Sequence, residues 1–165
     1  MYSSCSAYAE QLPGYEPLNK SDNPILYKYL ADYAIYLNSK LSVRMFNKRC
    51  INHIYFAVYD RNGKMVEEPT DEFYYLLLSK ALRKKIKKLP PQPLPKEIEC
   101  DYFILRYMFV QGENYKNKIM IASKDDEFNH FVILIIKKDN NIENITQEDV
   151  VIEDYDTVTD MLFNR

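Results

Sequence analysis

The chain has no tryptophan, three glycines, two histidines and three cysteines in 165 residues. Three glycines leave little material for a loop that wraps phosphate in backbone amides. No glycine-rich phosphate loop, H-E-x-x-H pattern, G-x-S-x-G elbow or calcium-loop pattern occurs. Cys5, Cys50 and Cys100 are odd in number and lack C-x-x-C spacing, which argues against a disulfide framework and against a zinc site. No metal or other cofactor is expected. The stretch from Met1 to Cys5 has no basic region and no apolar block, and no later run approaches the roughly 20 apolar residues that span a bilayer. A cytoplasmic protein with reduced thiols and no membrane contact is expected. The glycosylation sequons at Asn19 and Asn144 then have no route to modification.

Hydrophobic residues make up 47% and charged residues 28%, as in globular chains and unlike disordered ones. Fifteen tyrosines and eight phenylalanines suit a thin core, because tyrosine packs its ring while keeping its hydroxyl wet. Lysine outnumbers arginine, and asparagine and isoleucine are frequent, the bias an AT-rich genome such as that of a virus, phage or parasite produces. The formal net charge of -2 gives no global basic field, so any nucleic-acid contact must come from a local patch.

Residues 1–20 hold Pro13, Gly14 and Pro17 among polar groups and read as an irregular arm, with one α+β domain over residues 21–165. Asp22 or Asn23 can cap a helix with Pro24 at its first position, and Leu26, Tyr29, Leu30, Tyr33 and Leu37 form its apolar stripe. Residues 51–60 alternate as a strand, and Asn62-Gly63 suits a tight hairpin into a return strand at 64–66. Asp71 and Glu72 open a second helix with the stripe Tyr75, Leu78, Leu82, Ile86 and Leu89. Its acidic start and basic end suit the helix dipole. The segment 90–95 has prolines at four of its six positions and reads as stiff polyproline-type chain.

Strands follow over 98–110, 118–122 and 130–137. The last is apolar from Phe131 to Ile136 and should be covered on both faces. Thr146 and Asp149 resemble a capping box for a last helix facing inward with Val150, Val151, Tyr155, Val158, Met161 and Leu162, although 149–153 also fits a strand. The element order α-β-β-α-β-β-β-α resembles that of profilin-like, roadblock and longin domains and is close to PAS-type sensors. That resemblance implies a five-stranded antiparallel sheet flanked by helices, and roadblock-like sheets imply a homodimer.

His53 and His130 each open an apolar strand, and a histidine pair can supply the acid and base of a phosphodiesterase or ribonuclease. Two residues on, where such enzymes place a phosphate-binding hydroxyl, stand Tyr55 and Val132. If the first and last strands are antiparallel neighbours, the two histidines also lie on the order of 20 Å apart. Lys80, Arg83, Lys84, Lys85, Lys87 and Lys88 crowd the end of the second helix and could meet phosphates or an acidic partner, or the acidic stretch Glu148, Asp149, Glu153, Asp154, Asp156 and Asp160. Tyr29, Tyr33 and Tyr36 recur at helical spacing, as core or as a stacking platform.

Lys87, Pro90 and Pro93 fit the basic-x-x-Pro-x-x-Pro pattern read by SH3 domains, against the simpler reading of a rigid connector. Tyr15 to Leu18 fits a tyrosine sorting pattern, but no membrane segment accompanies it. Arg106 is in phase with Tyr102, Ile104 and Met108 on an apolar strand face and needs a partner, a structural one or a ligand anion. The expected function is a non-enzymatic module that binds another protein. A nucleic-acid-binding protein using the basic helix end is the alternative, and a two-histidine phosphoesterase the second.

Overall fold

In the computed structural model, residues 15–18, 20–46, 53–68, 80–111, 117–124, 129–140 and 150–151 are described. Helix α1 spans Pro24–Lys40, with Asn23 as its N-cap: the Asn23 side chain accepts a hydrogen bond from the Leu26 amide at 3.2 Å. Leu26, Tyr29, Leu30, Tyr33 and Leu37 are all buried, as the stripe predicts. The helix stops at Leu41, whose backbone N–H still bonds Leu37 at 3.0 Å. There the ammonium of Lys137 donates to the Leu41 carbonyl. Burial holds the Lys137 pKa below its ordinary value, partly offset by Asp139.

The strands are β1 (Tyr15–Pro17), β2 (His53–Asp60), β3 (Met65–Glu67), β4 (Tyr102–Gln111), β5 (Lys118–Lys124), β6 (His130–Lys137) and β7 (Val150–Val151). Helix α2 covers Lys80–Lys87. Five strands and two helices match the expected α+β order, but the sheet is mixed. Its order is β1-β5-β6-β4-β2-β3, with β7 also on β5, and β4 pairs β6 in parallel with Leu105 opposite Phe131. The antiparallel expectation assumed that β2 and β6 are neighbours, whereas β4 lies between them. Period-two alternation identifies strands and their faces, and says nothing of which strands pair.

On one face, Phe103, Leu105, Tyr107 and Phe109 of β4 are fully buried under α1, with Tyr29 edge-on to Phe103 and Tyr33 edge-on to Tyr107. Tyr55, Ala57 and Tyr59 of β2 and Phe131, Ile133 and Ile135 of β6 share that face by register. The other face is also buried at Met108, Val110, Met120, Val132, Leu134 and Ile136. All eight residues of β6 are buried, which agrees with its unbroken apolar run.

The outer edge of β5 is closed from both sides of the sequence. β1 pairs antiparallel with residues 122–124 and β7 parallel with 119–120. The described end of the N-terminal arm is therefore docked, and Val150–Val151 take the strand alternative. The rest of the expected last helix, the opening of the second helix at Asp71 and Glu72, and the acidic stretch from Glu148 to Asp160 apart from its strand residues lie outside the described residues. So do Cys5 and Cys50. At the opposite edge β3 offers only three residues for pairing. No helix among the described residues is long and apolar enough to cross a membrane.

Candidate functional site: a groove between the hairpin turn and the proline strap

The β2–β3 connection is tighter in chemistry than its Asn-Gly pair suggests. A two-residue turn of the favoured type needs positive φ at both positions, yet only Gly63 has it, at 81°. The Gly63 amide bonds the Asp60 carbonyl at 2.9 Å, and the Asp60 amide bonds the Lys64 carbonyl at 2.9 Å. This is a three-residue loop with glycine at the left-handed position. The Asp60 carboxylate secures it by accepting from the amides of Asn62 and Lys64 at 2.9 and 3.0 Å.

Gly63 is needed for a second reason. A Cβ there would stand 2.2 Å from the Pro91 carbonyl oxygen. The proline segment runs directly over the turn, where the Leu94 amide bonds the Arg61 carbonyl at 2.8 Å. Two buried tyrosines of α1 hold it from below: Tyr33 donates to the Leu89 carbonyl at 2.7 Å and Tyr29 to that of Gln92 at 2.6 Å. Pro91 and Leu94 face inward while Pro90, Gln92 and Pro93 are exposed. The segment is thus a strap stitched to the fold with one side left to solvent.

Helix α2 leads into this strap. Leu82 and Ile86 are fully buried, worth roughly 1.5–3 kcal/mol each, and they turn the lysines outward. Glu68, just after β3, accepts from Arg83 Nε at 2.5 Å and lies 2.6 Å from Lys87 Nζ. Burial pushes the Glu68 carboxyl up, but Arg83, Lys87 and Tyr55 more than offset this and hold it below its ordinary value. Two of the six clustered cations are therefore neutralised internally. Lys80, Lys84 and Lys88 are exposed, form no ion pair among the described residues, and recur every fourth residue along one side.

Between turn and strap lies a groove of about 480 Å³ lined by Tyr59, Asn62, Gly63, Lys64, Met65, Ile86, Lys87, Pro90 and Pro91. Its floor is Tyr59, 1% exposed, whose hydroxyl is engaged with Tyr107 at 2.6 Å. Burial first, with a smaller push from Glu68, raises the Tyr59 pKa to about 12, against the pull of its hydrogen bonds to Tyr107 and Tyr33.

Of the expected site residues, Lys87 and Pro90 line this groove, and Lys84, Lys88 and Pro93 stand exposed near it in sequence. Arg83 is turned to Glu68. The histidines are not brought together: His53 is opposite Phe109 and His130 opposite Ile104, so they sit at opposite ends of β4, about 17 Å apart along the strand. His130 is buried. Arg106 lies on the face away from α1, its guanidinium 6.0 Å from the Phe56 ring. Of the three helix tyrosines only Tyr36 is exposed, with the Lys40 ammonium 5.9 Å from its ring.

Sequence reasoning missed Glu68, Lys64 and the anchoring tyrosine hydroxyls. The spacing of Tyr29 and Tyr33 marked them as core without showing that their oxygens reach the strap. Compared with known protein families, curated proteins and solved structures, the chain matches none. What the fold and groove define is an α+β domain with a mixed sheet and a rigid, cation-rimmed cleft.

Proposed function

We propose that this protein is a non-enzymatic interaction module that engages another protein through the cationic end of α2 and the exposed side of the proline strap. The observation that carries this reading is the stripe Lys80, Lys84 and Lys88, exposed and without an ion pair among the described residues, on a helix end held by Leu82, Ile86 and the strap. Pre-ordering limits the entropy lost on association. Pairing through a sheet edge, whether with a partner or a second copy, has little to use, because β5 is covered and β3 is short.

The test is capture from host-cell lysate with and without nuclease, comparing the native chain with a Lys80→Glu, Lys84→Glu variant. A discrete protein that survives nuclease and is lost by the variant supports the reading. Recovery of nucleic acid alone, lost by the variant and in high salt, replaces it with a nucleic-acid-binding function. Retention of the partner by the variant moves the contact elsewhere and overturns the assignment to α2.

A further inference from the structure

The groove has a chemistry more specific than positive charge. Met65 and Pro90 give it accessible apolar walls over the buried Ile86 and Pro91, Lys64 and Lys87 stand at its rim, and no carboxylate lines it. Lys87 is shared with Glu68 but remains exposed, whereas Lys64 forms no ion pair among the described residues. The turn offers no spare amide, because the N–H groups of Asn62, Gly63 and Lys64 are all spent on Asp60.

Those features discriminate between anions. A phosphate is best held by several converging amides or an arginine fork. Here the turn amides are spent and Arg83 Nε is committed to Glu68. A nucleobase needs an exposed ring to stack on, and Tyr59 shows 1% of its surface. A carboxylate needs only an ammonium, and an apolar side chain needs only a dry slot. About 480 Å³ accommodates one large side chain with room for its neighbours.

We infer that the groove receives an acidic peptide segment of the partner protein, with one aliphatic or aromatic side chain seated between Met65 and Pro90 and flanking carboxylates paired with Lys64 and Lys87. This rests on the interaction-module reading and names the kind of partner it meets. The walls need no rearrangement to accept it, since the Gly63–Pro91 contact, the Leu94 amide and the two tyrosine anchors already fix the gap.

The experiment is fluorescence anisotropy of the full chain with a labelled, blocked peptide of Asp and Glu around a central Leu. It is compared with the same peptide carrying Asn for Leu, and with an oligothymidylate of equal charge. Saturable binding is expected, weakened about tenfold or more by the Lys64→Glu, Lys87→Gln pair and by a similar factor when Leu becomes Asn. Both lysines are exposed, and circular dichroism confirms that the variant is folded. Absence of binding, indifference to the Leu-to-Asn change, or tighter binding of the oligothymidylate would each overturn the inference. If the peptide fails while lysate capture still depends on Lys80 and Lys84, the groove assignment falls and the interaction module stands. If both fail, both fall.

Discussion

Tyr59 on β2 and Tyr107 on β4 share a buried hydrogen bond of 2.6 Å, and the proton in it belongs to Tyr59. The direction follows from the far end of the chain of hydroxyls. Tyr33 must donate to the Leu89 carbonyl, so it can only accept from Tyr107, 2.8 Å away, which leaves Tyr59 as donor to Tyr107. Three phenols thus form a one-way relay that ends on the backbone carbonyl where α2 meets the strap.

That order ranks two isosteric substitutions. Tyr107→Phe removes the middle of the relay and strands the buried Tyr59 proton, at a cost of about 1–3 kcal/mol. Tyr59→Phe removes only the first donor and strands no proton, so about 0.5–1.5 kcal/mol is expected. Urea unfolding of the two variants checks the ranking. Equal or inverted losses contradict the relay direction.

Gly63→Ala meets two penalties at once, the left-handed backbone at φ 81° and the Pro91 oxygen 2.2 Å from the new Cβ. Together they should cost about 2–4 kcal/mol. Asn62→Ala, an exposed neighbour with ordinary φ, should cost under about 1 kcal/mol. Thermal unfolding of both separates a requirement for glycine from a general sensitivity of the turn.

Alkali should unfold the protein through its buried phenols. Burial raises Tyr59 from 10.0 to about 12 and holds Tyr33 and Tyr107 well above 10.0. Groups with raised folded-state values contribute stability that is whole below pH 10 and is lost as pH climbs through the folded values. For Tyr59 this amounts to on the order of 2 kcal/mol by pH 12. Lys137, whose value burial lowers, acts in the opposite sense, since its desolvation cost is relieved as pH rises toward 10.5. Phenolate absorbance should lag behind that of the urea-unfolded chain and then rise together with loss of helical circular dichroism. Full phenolate formation in a still-folded chain would refute the buried network.

In acid the group that matters among the described residues is Glu68. Its folded-state value lies below 4.5, so its contribution is present above pH 4.5 and disappears as pH falls through the folded value. Glu68→Gln should cost about 1–2 kcal/mol at pH 7. The gap from the native chain should close as pH falls below the folded-state value of Glu68, where both side chains are neutral. A pH-independent gap would mean that the loss comes from packing and not from Arg83 and Lys87.

Local features were legible in the chain. Asn23-Pro24 and the Leu26–Leu37 stripe marked α1 because caps and helical periodicity depend on neighbours within a few residues. The run from Phe131 to Ile136 marked a strand buried on both faces for the same reason. Long-range partners were not legible. Nothing near Glu68 in sequence announces Arg83, nothing near Lys137 announces Leu41, and no alternation pattern tells β6 to lie beside β4. The groove belongs to this second kind, since a hairpin turn, a helix end and a proline strap meet there only after folding.

The placement of β6 also governs the order in which the molecule can be completed. Strands β2, β3 and β4 can assemble as they leave the ribosome, since each neighbour precedes the next in the chain. β5 has no main partner until residues 130–137 arrive, and those residues must then enter between two strands already made. Half of the sheet is consequently a late, non-local event, and a chain stalled before His130 would expose two unfinished edges at once.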